Sequence, residues 1–258
     1  MIVTTTAKPS ERVLAQAVRL SKELGASLKT RSNLTVAKLI GMTEDKRLLV
    51  VTDSEVRYYE GQSESPLYFH PSMAFVRVKR LRRGETDPLI ELSECESGSR
   101  IIDCTAGLAS DSLVFSYASG PTGRVTAIES EPVLYSLVRE GLASYKTSLP
   151  DVDAAMRRIE MIGMNHLDYL REMPDNSADI VYFDPMFRMP LHESSSIAPL
   201  RTIANMDALT IEVIDEAKRV ATKTVVLKEH QASDEFARLG FERKHVNTSK
   251  IAYGVIKL

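Results

Sequence analysis

Cysteine is scarce: Cys95 and Cys104 are the only two in 258 residues. Two thiols build neither a disulfide framework nor the spacing of a zinc site, so no metal is expected. No apolar run approaches eighteen residues, so no transmembrane helix is expected. The opening residues, MIVTTTAKPSERV, lack the basic-then-apolar order of a secretory signal. A cytoplasmic protein is the resulting expectation. An excess of either charge is missing too. The net charge of −2 argues against a wholly basic coat for nucleic acid. It leaves room for a local basic patch, because the field follows the distribution of charge rather than its sum. Internal repeats and low-complexity tracts are also absent. What is present is an ordinary globular composition, 43% hydrophobic and 26% charged, in a chain long enough for one large domain or a domain with an appendage.

Apolar periodicity predicts a helix over Pro9 to Leu24, capped by Ser10 and ended by Gly25. Leu28 to Arg31, Leu48 to Thr52 and Val56 to Glu60 read as short strands, and Asn33 to Ile40 as a short helix. Together they predict a small α+β appendage over residues 1–65, followed by a larger domain over 66–258. In that domain the pattern alternates. Strands are predicted at Arg100 to Cys104, Arg124 to Glu129, Ile159 to Gly163, Ala178 to Phe183 and Thr224 to Lys228. Helices are predicted at Ser110 to Tyr117, Pro132 to about Lys146 and Met206 to Val220. Phe241 to Val246 and Ile251 to Lys257 read as a closing antiparallel pair. Strand–helix alternation implies an α/β fold with a mostly parallel sheet. A Rossmann-like sheet of seven strands finished by a hairpin is the arrangement of class I methyltransferases.

Ligands of open α/β sheets bind beyond the carboxyl ends of the strands, so chemistry is sought there. The first strand runs into DCTAGLASD, with Asp103 at its end, Gly107 in the turn and Asp111 near a helix start. One glycine fits a dinucleotide fingerprint poorly, and G-x-G-x-x-G is absent. An acid there repels a pyrophosphate but suits a cationic ligand such as S-adenosylmethionine, whose methionine end carries an ammonium. Glu129 ends the second strand, where a carboxylate accepts both hydroxyls of an adenosine ribose. Asn165 and His166 follow the third, where an adenine edge would bind, with Asp168 as an alternative adenine contact.

The fourth strand ends in VYFDPMFRM. Its D-P-M-F resembles the D/N-P-P-Y/F loop of amino methyltransferases. An exocyclic base amine is a poor nucleophile because its lone pair is delocalised into the ring. Asp184, with the Pro185 carbonyl, can accept its N–H groups and stabilise positive charge growing on nitrogen. Pro185 stiffens the loop, and Phe187 can stack on an extruded base.

With these motifs, the chain resembles the 16S ribosomal RNA guanine-N2 methyltransferase family of the RsmJ (YhiQ) type. The resemblance spans roughly Pro71 to Leu258 and is carried by PSMAFVRVKRLRRGE, DCTAGLASDSLVF and VYFDPMF. It implies a class I methyltransferase, S-adenosylmethionine as donor, and a guanine amino group of small-subunit rRNA as acceptor. By motif, the implied donor-binding positions are Ser110, Asp111, Glu129, Ser130, Asn165, His166 and Asp184. The family commonly carries arginines where this chain has Ser110 and Ser130, and a proline where it has Arg188. The basic run Arg77, Lys79, Arg80, Arg82 and Arg83, together with Arg188, is the expected contact with RNA phosphates. A ribosomal RNA or small-subunit partner follows. Other planar amines, an adenine or a protein glutamine, stay open as acceptors. So does a non-catalytic binding module that keeps the fold.

Overall fold

The computed structural model describes residues 1–61, 65–185, 208–244 and 250–258. These divide into two compact units, one made of Met1–His70 and Pro132–Lys146, the other of the remaining described residues.

The first unit carries a five-stranded sheet in the order β2-β1-β3-β4-β5. Its elements are β1 (Ile2–Thr5), α1 (Glu11–Glu23), β2 (Ser27–Leu28), α2 (Val36–Gly41), β3 (Arg47–Val51), β4 (Val56–Glu60) and β5 (Leu67–Tyr68). β1 lies parallel to β2 and β3, while β3, β4 and β5 are antiparallel. Ser10 caps α1 as expected, its hydroxyl accepting from Val13 N. The helix α6 (Pro132–Ser144) belongs to the same unit. Its Glu140 accepts from Gln16 and Arg19 at 2.8 Å each. Its Gly141 meets Phe69 so closely that a Cβ there would lie 2.2 Å from the ring.

The second unit is built on a seven-stranded sheet in the order β11-β12-β10-β9-β6-β7-β8. Its strands are β6 (Arg100–Asp103), β7 (Arg124–Glu129), β8 (Ile159–Gly163), β9 (Ala178–Phe183), β10 (Ala221–His230), β11 (Glu242–Lys244) and β12 (Ile251–Lys257). Its helices are α3 (Ser72–Arg82), α4 (Pro88–Leu92), α5 (Ser110–Ala118), α7 (Pro150–Arg157), α8 (His166–Glu172), α9 (Ile211–Val220) and α10 (Glu235–Arg238). The strands from β6 to β10 are mutually parallel, and β12 and β11 close the sheet antiparallel. This is the expected α/β, Rossmann-like class I methyltransferase sheet. From β6 the chain goes to β7 and β8 on one side, then to β9 and β10 on the other. The switch point therefore lies between the ends of β6 and β9.

β9 is buried on both faces, as a central parallel strand must be. Val181 and Phe183 join the core formed with Leu170 of α8 and Val213, Ile214 and Ala217 of α9. Tyr182 points to the other face, its ring edge-on to Phe115 of α5 at 5.3 Å. Each such large apolar side chain contributes about 1.5–3 kcal/mol on burial. β10 pairs with β9 through Leu227↔Phe183, after an irregularity between Ala221 and Thr224. The strand expected over Thr224 to Lys228 is longer at both ends. The strand expected over Leu28 to Arg31 shrinks to Ser27–Leu28. The helix expected over Met206 to Val220 runs from Ile211, and its Met206, like His245 and Val246 of the expected closing strand, lies outside the described residues. Among the described residues, no helix is long and apolar enough to cross a membrane.

Candidate active site

The turn after β6 is stitched to both neighbouring strands. Cys104 N donates to Tyr182 O and Ala106 N to Ile128 O, both at 2.9 Å. Within it Gly107 is left-handed, with φ +51°, and a Cβ added there would meet nothing nearer than Thr105 O at 4.0 Å. The side of the turn that a side chain would occupy is thus open to a ligand. Gly107 N donates to Glu129 Oε2 at 3.1 Å, and Glu131 N to Glu129 Oε1 at 2.9 Å. Two backbone donors therefore fix the Glu129 carboxylate at the end of β7, and each oxygen keeps a lone pair for a ribose hydroxyl. Burial raises its pKa.

Asp103 lies 1% exposed at the end of β6. It accepts from Thr105 N at 3.1 Å and from Ser112 Oγ. Burial pushes it up to about 7. Asn165 caps α8, its Oδ1 accepting from Leu167 N at 2.9 Å. His166 opens the same helix with its ring edge-on to Phe183 at 6.0 Å. Ser110 and Ser130 are half-buried, beside the turn and after Glu129 respectively. Asp168 is exposed, 3.7 Å from Arg171. Among the described residues, no group of acids, histidines and cysteines is arranged to hold a metal.

Asp184 follows β9 at the switch point. Its backbone N donates to Thr105 Oγ1 at 2.5 Å, so the acceptor loop is tied to the turn that carries Gly107. Its Oδ2 accepts from Lys228 Nζ at 2.7 Å. About a quarter of the side chain, 26%, is exposed. Burial raises its pKa to about 6; Lys228 pulls it down, but the charge on Asp111 works with burial. Pro185 is half-buried beside it. Phe187 and Arg188 lie outside the described residues.

Asp111 and Arg77, both named from the sequence, are bonded to each other. Asp111, expected to meet the donor, is 6% exposed and bonded to protein groups through both oxygens. Its Oδ1 accepts from Arg77, and its Oδ2 from Lys228 and Tyr182 OH at 2.8 Å each. Burial opposes its charge, but Lys228 and Arg77 outweigh that and hold it well below the usual carboxylate range. Arg77 was expected on RNA phosphates. Its guanidinium instead grips Asp87 through two bonds of 2.8 Å and reaches Asp111. The other members of the basic run are exposed on and just after α3. Lys79 sits over the Phe75 ring at 4.2 Å, Arg80 bonds Glu85 and Arg82 bonds Asp151, each at 2.8 Å, and Arg83 lies 3.7 Å from Glu85. Exposed pairs of this kind contribute little and exchange readily.

Sequence reasoning missed Lys228, Thr105 and Ser112. Only Lys228 left a signal: a lysine at the end of the buried run TVVL is out of place unless it has a partner.

The chain is similar to several known proteins. The model of a family described as "Putative SAM-dependent methyltransferase" matches residues 30–250. The uncharacterized protein YpiP of Bacillus subtilis (strain 168) is 40% identical over 256 residues, 99% of each chain. Ribosomal RNA small subunit methyltransferase J of Acinetobacter baumannii (strain SDF) is 29% identical over 114 residues, 43% of this chain and 39% of that one. The protein of the same name from Pseudomonas paraeruginosa is 28% identical over 134 residues, 50% and 49% of the two. The chain thus spans less than half the length of these two relatives. A solved SAM-dependent methyltransferase from Neisseria gonorrhoeae shares the fold, with a TM-score of 0.67 over all of this chain and 96% of that one, at 18% identity. With a sheet of the class I order and a family match over most of its length, the chain belongs to this SAM-dependent methyltransferase family, and S-adenosylmethionine is its cofactor.

Proposed function

We propose that the chain methylates the exocyclic N2 amine of a guanine in small-subunit ribosomal RNA. The observation that carries this reading is the position of Asp184. It emerges at the switch point, bonded through its backbone to the turn that holds Gly107, and partly open to solvent. An acceptor acid at the switch point of such a sheet suits a planar amine. The partial relatives bearing a ribosomal RNA methyltransferase name support the choice of RNA.

In this reading Glu129 holds the donor ribose, Asp103 and the Gly107 turn take its methionine end, and Asn165 and His166 flank its adenine. Ser110 and Ser130 line the same region. S-adenosylmethionine supplies an electrophilic methyl group on a sulfonium. Asp184 and the Pro185 carbonyl accept the amine N–H groups and orient the nitrogen lone pair. Negative charge at Asp184 also stabilises positive charge growing on the nitrogen. No strong base is needed, because the methylated amine loses its extra proton readily. Phe187 stacks on the base, Arg188 meets a phosphate, and Lys79, Arg80, Arg82 and Arg83 bind the RNA backbone.

The test is nucleoside mass mapping of rRNA from cells with and without the gene, then transfer in vitro to the unmodified subunit. One N2-methylguanine is expected to vanish with the gene. Asp184→Ala is expected to lose transfer by about 10²-fold or more. Loss of an N6-methyladenine instead, or full transfer by Asp184→Ala, overturns the reading.

A further inference from the structure

We propose that Lys228, anchored by Asp111, is a positioning residue that holds the Asp184 carboxylate in place for the acceptor amine. The proposal rests on the reading of Asp184 given above.

The sheet register brings the two groups together. Leu227 pairs with Phe183 and both enter the α8–α9 core, so one residue further on Lys228 and Asp184 emerge on the opposite face. Nζ lies 2.7 Å from Asp184 Oδ2 and 2.8 Å from Asp111 Oδ2. A lysine near the end of a strand usually reaches water. Here only 16% of the side chain is exposed, and two carboxylates share its ammonium. A buried ammonium persists only when paired in this way.

The anchor is itself fixed. Asp111 is gripped by Arg77 from α3 and by Tyr182 OH from β9. Arg77 in turn holds both oxygens of Asp87, whose side chain caps α4 through Leu89 N. Tyr253, opposite Lys228 on β12, also faces this cluster, and Asp103 interacts with both Asp111 and Asp184. The cations are thus outnumbered: Lys228 and Arg77 serve Asp87, Asp111 and Asp184. Take Lys228 away and Asp184 faces Asp111 with no charge between them. Asp184 would then bind a proton, and a neutral acid accepts an amine N–H poorly. Lys228 therefore keeps Asp184 both oriented and ionised, without touching the substrate.

The experiment uses the full chain with Lys228→Met, Lys228→Arg, and Lys228→Met combined with Asp184→Asn. The Asp184 carboxyl is followed by NMR with 13C-labelled aspartate, its signal identified by its absence in Asp184→Asn. Its titration midpoint is expected to rise by about one pH unit or more in Lys228→Met and to stay near wild type in Lys228→Arg. At saturating donor, kcat is expected to fall by roughly 10²-fold in Lys228→Met, with donor affinity unchanged. Its pH profile should move to the alkaline side, and Lys228→Met should add nothing to Asp184→Asn. An unmoved midpoint, or losses that multiply in the combined variant, overturns the proposal. Should Lys228→Met fail to fold, Asp111→Asn with Lys228→Met removes the stranded anchor as well; its midpoint is compared with that of Asp111→Asn, and no difference overturns the proposal. The titration needs no methyl acceptor, so it stays readable if the RNA assignment fails, and that assignment is read separately from the nucleosides.

Discussion

Asp103 and Asp111 belong to the same turn and helix, yet their surroundings drive them apart. Burial pushes Asp103 up to about 7, while Lys228 and Arg77 hold Asp111 low. The two act on stability in different pH windows. Between an ordinary carboxyl value near 4 and about 7, the folded chain retains the Asp103 proton that the unfolded chain has lost. Stability from this group therefore falls as pH rises through that interval. Asp111 has the opposite sign: its contribution is present above the ordinary carboxyl range and disappears in acid. Asp103→Asn should accordingly flatten the decline in Tm between about pH 5 and 7.5. Thermal melts across that range check it, and an unchanged slope excludes the assignment. At this scale the strand-end places of Glu129 and Asp184 were legible, because both close buried strands. The partners of Arg77 and Asp111 were not legible. The roles of these two residues are set by partners distant in sequence, and a cation in a basic run reads as an RNA contact until Asp87 and Asp111 are found beside it.

Helix α3 presents Lys79 and Arg80 to solvent, with Arg82 and Arg83 at its end, while Ala74 and Val78 face inward. If this face tracks an RNA backbone, each lost phosphate contact should lower the steepness of log affinity against log salt by about 0.7–0.9. Arg80→Gln with Arg83→Gln should reduce the slope by up to twice that. Filter binding from low to moderate salt measures it, and an identical slope removes these residues from the interface. The helix itself was not foreseen. Only two of its residues are buried, and Met73 and Val76 are exposed, so it lacks an apolar stripe. Strands β7, β8, β9 and β12 were legible to the residue. They are apolar runs bounded by turn residues, and burial on the sheet leaves them little latitude. β1 went unread because IVTT is too short to show a period.

For the whole molecule, alternation of strands and helices sufficed to foresee the sheet, since handedness rules leave few topologies. Donor binding should stabilise the fold by mass action, by about 2.7 kcal/mol at a hundredfold excess over Kd. For a chain of this size that is a rise in Tm of roughly 5–10 °C. Melts with S-adenosylmethionine and S-adenosylhomocysteine should both show it, and Glu129→Ala should lessen it; no shift with either ligand would contradict cofactor binding in this fold. The irregularity at the start of β10 acts on residues at the strand's other end. Ala221 stands opposite Ala178, but Thr224 stands opposite Ile180, so one residue is absorbed without advancing the ladder. An unbroken ladder from Ala221 would set Leu227 against Asp184 and turn Lys228 to the far face. Dropping a residue between Thr224 and Lys228 instead would bring Glu229 alongside, acid against acid. The extra residue works as a phase adjuster: it is what sets the ammonium of Lys228 beside the carboxylate of Asp184.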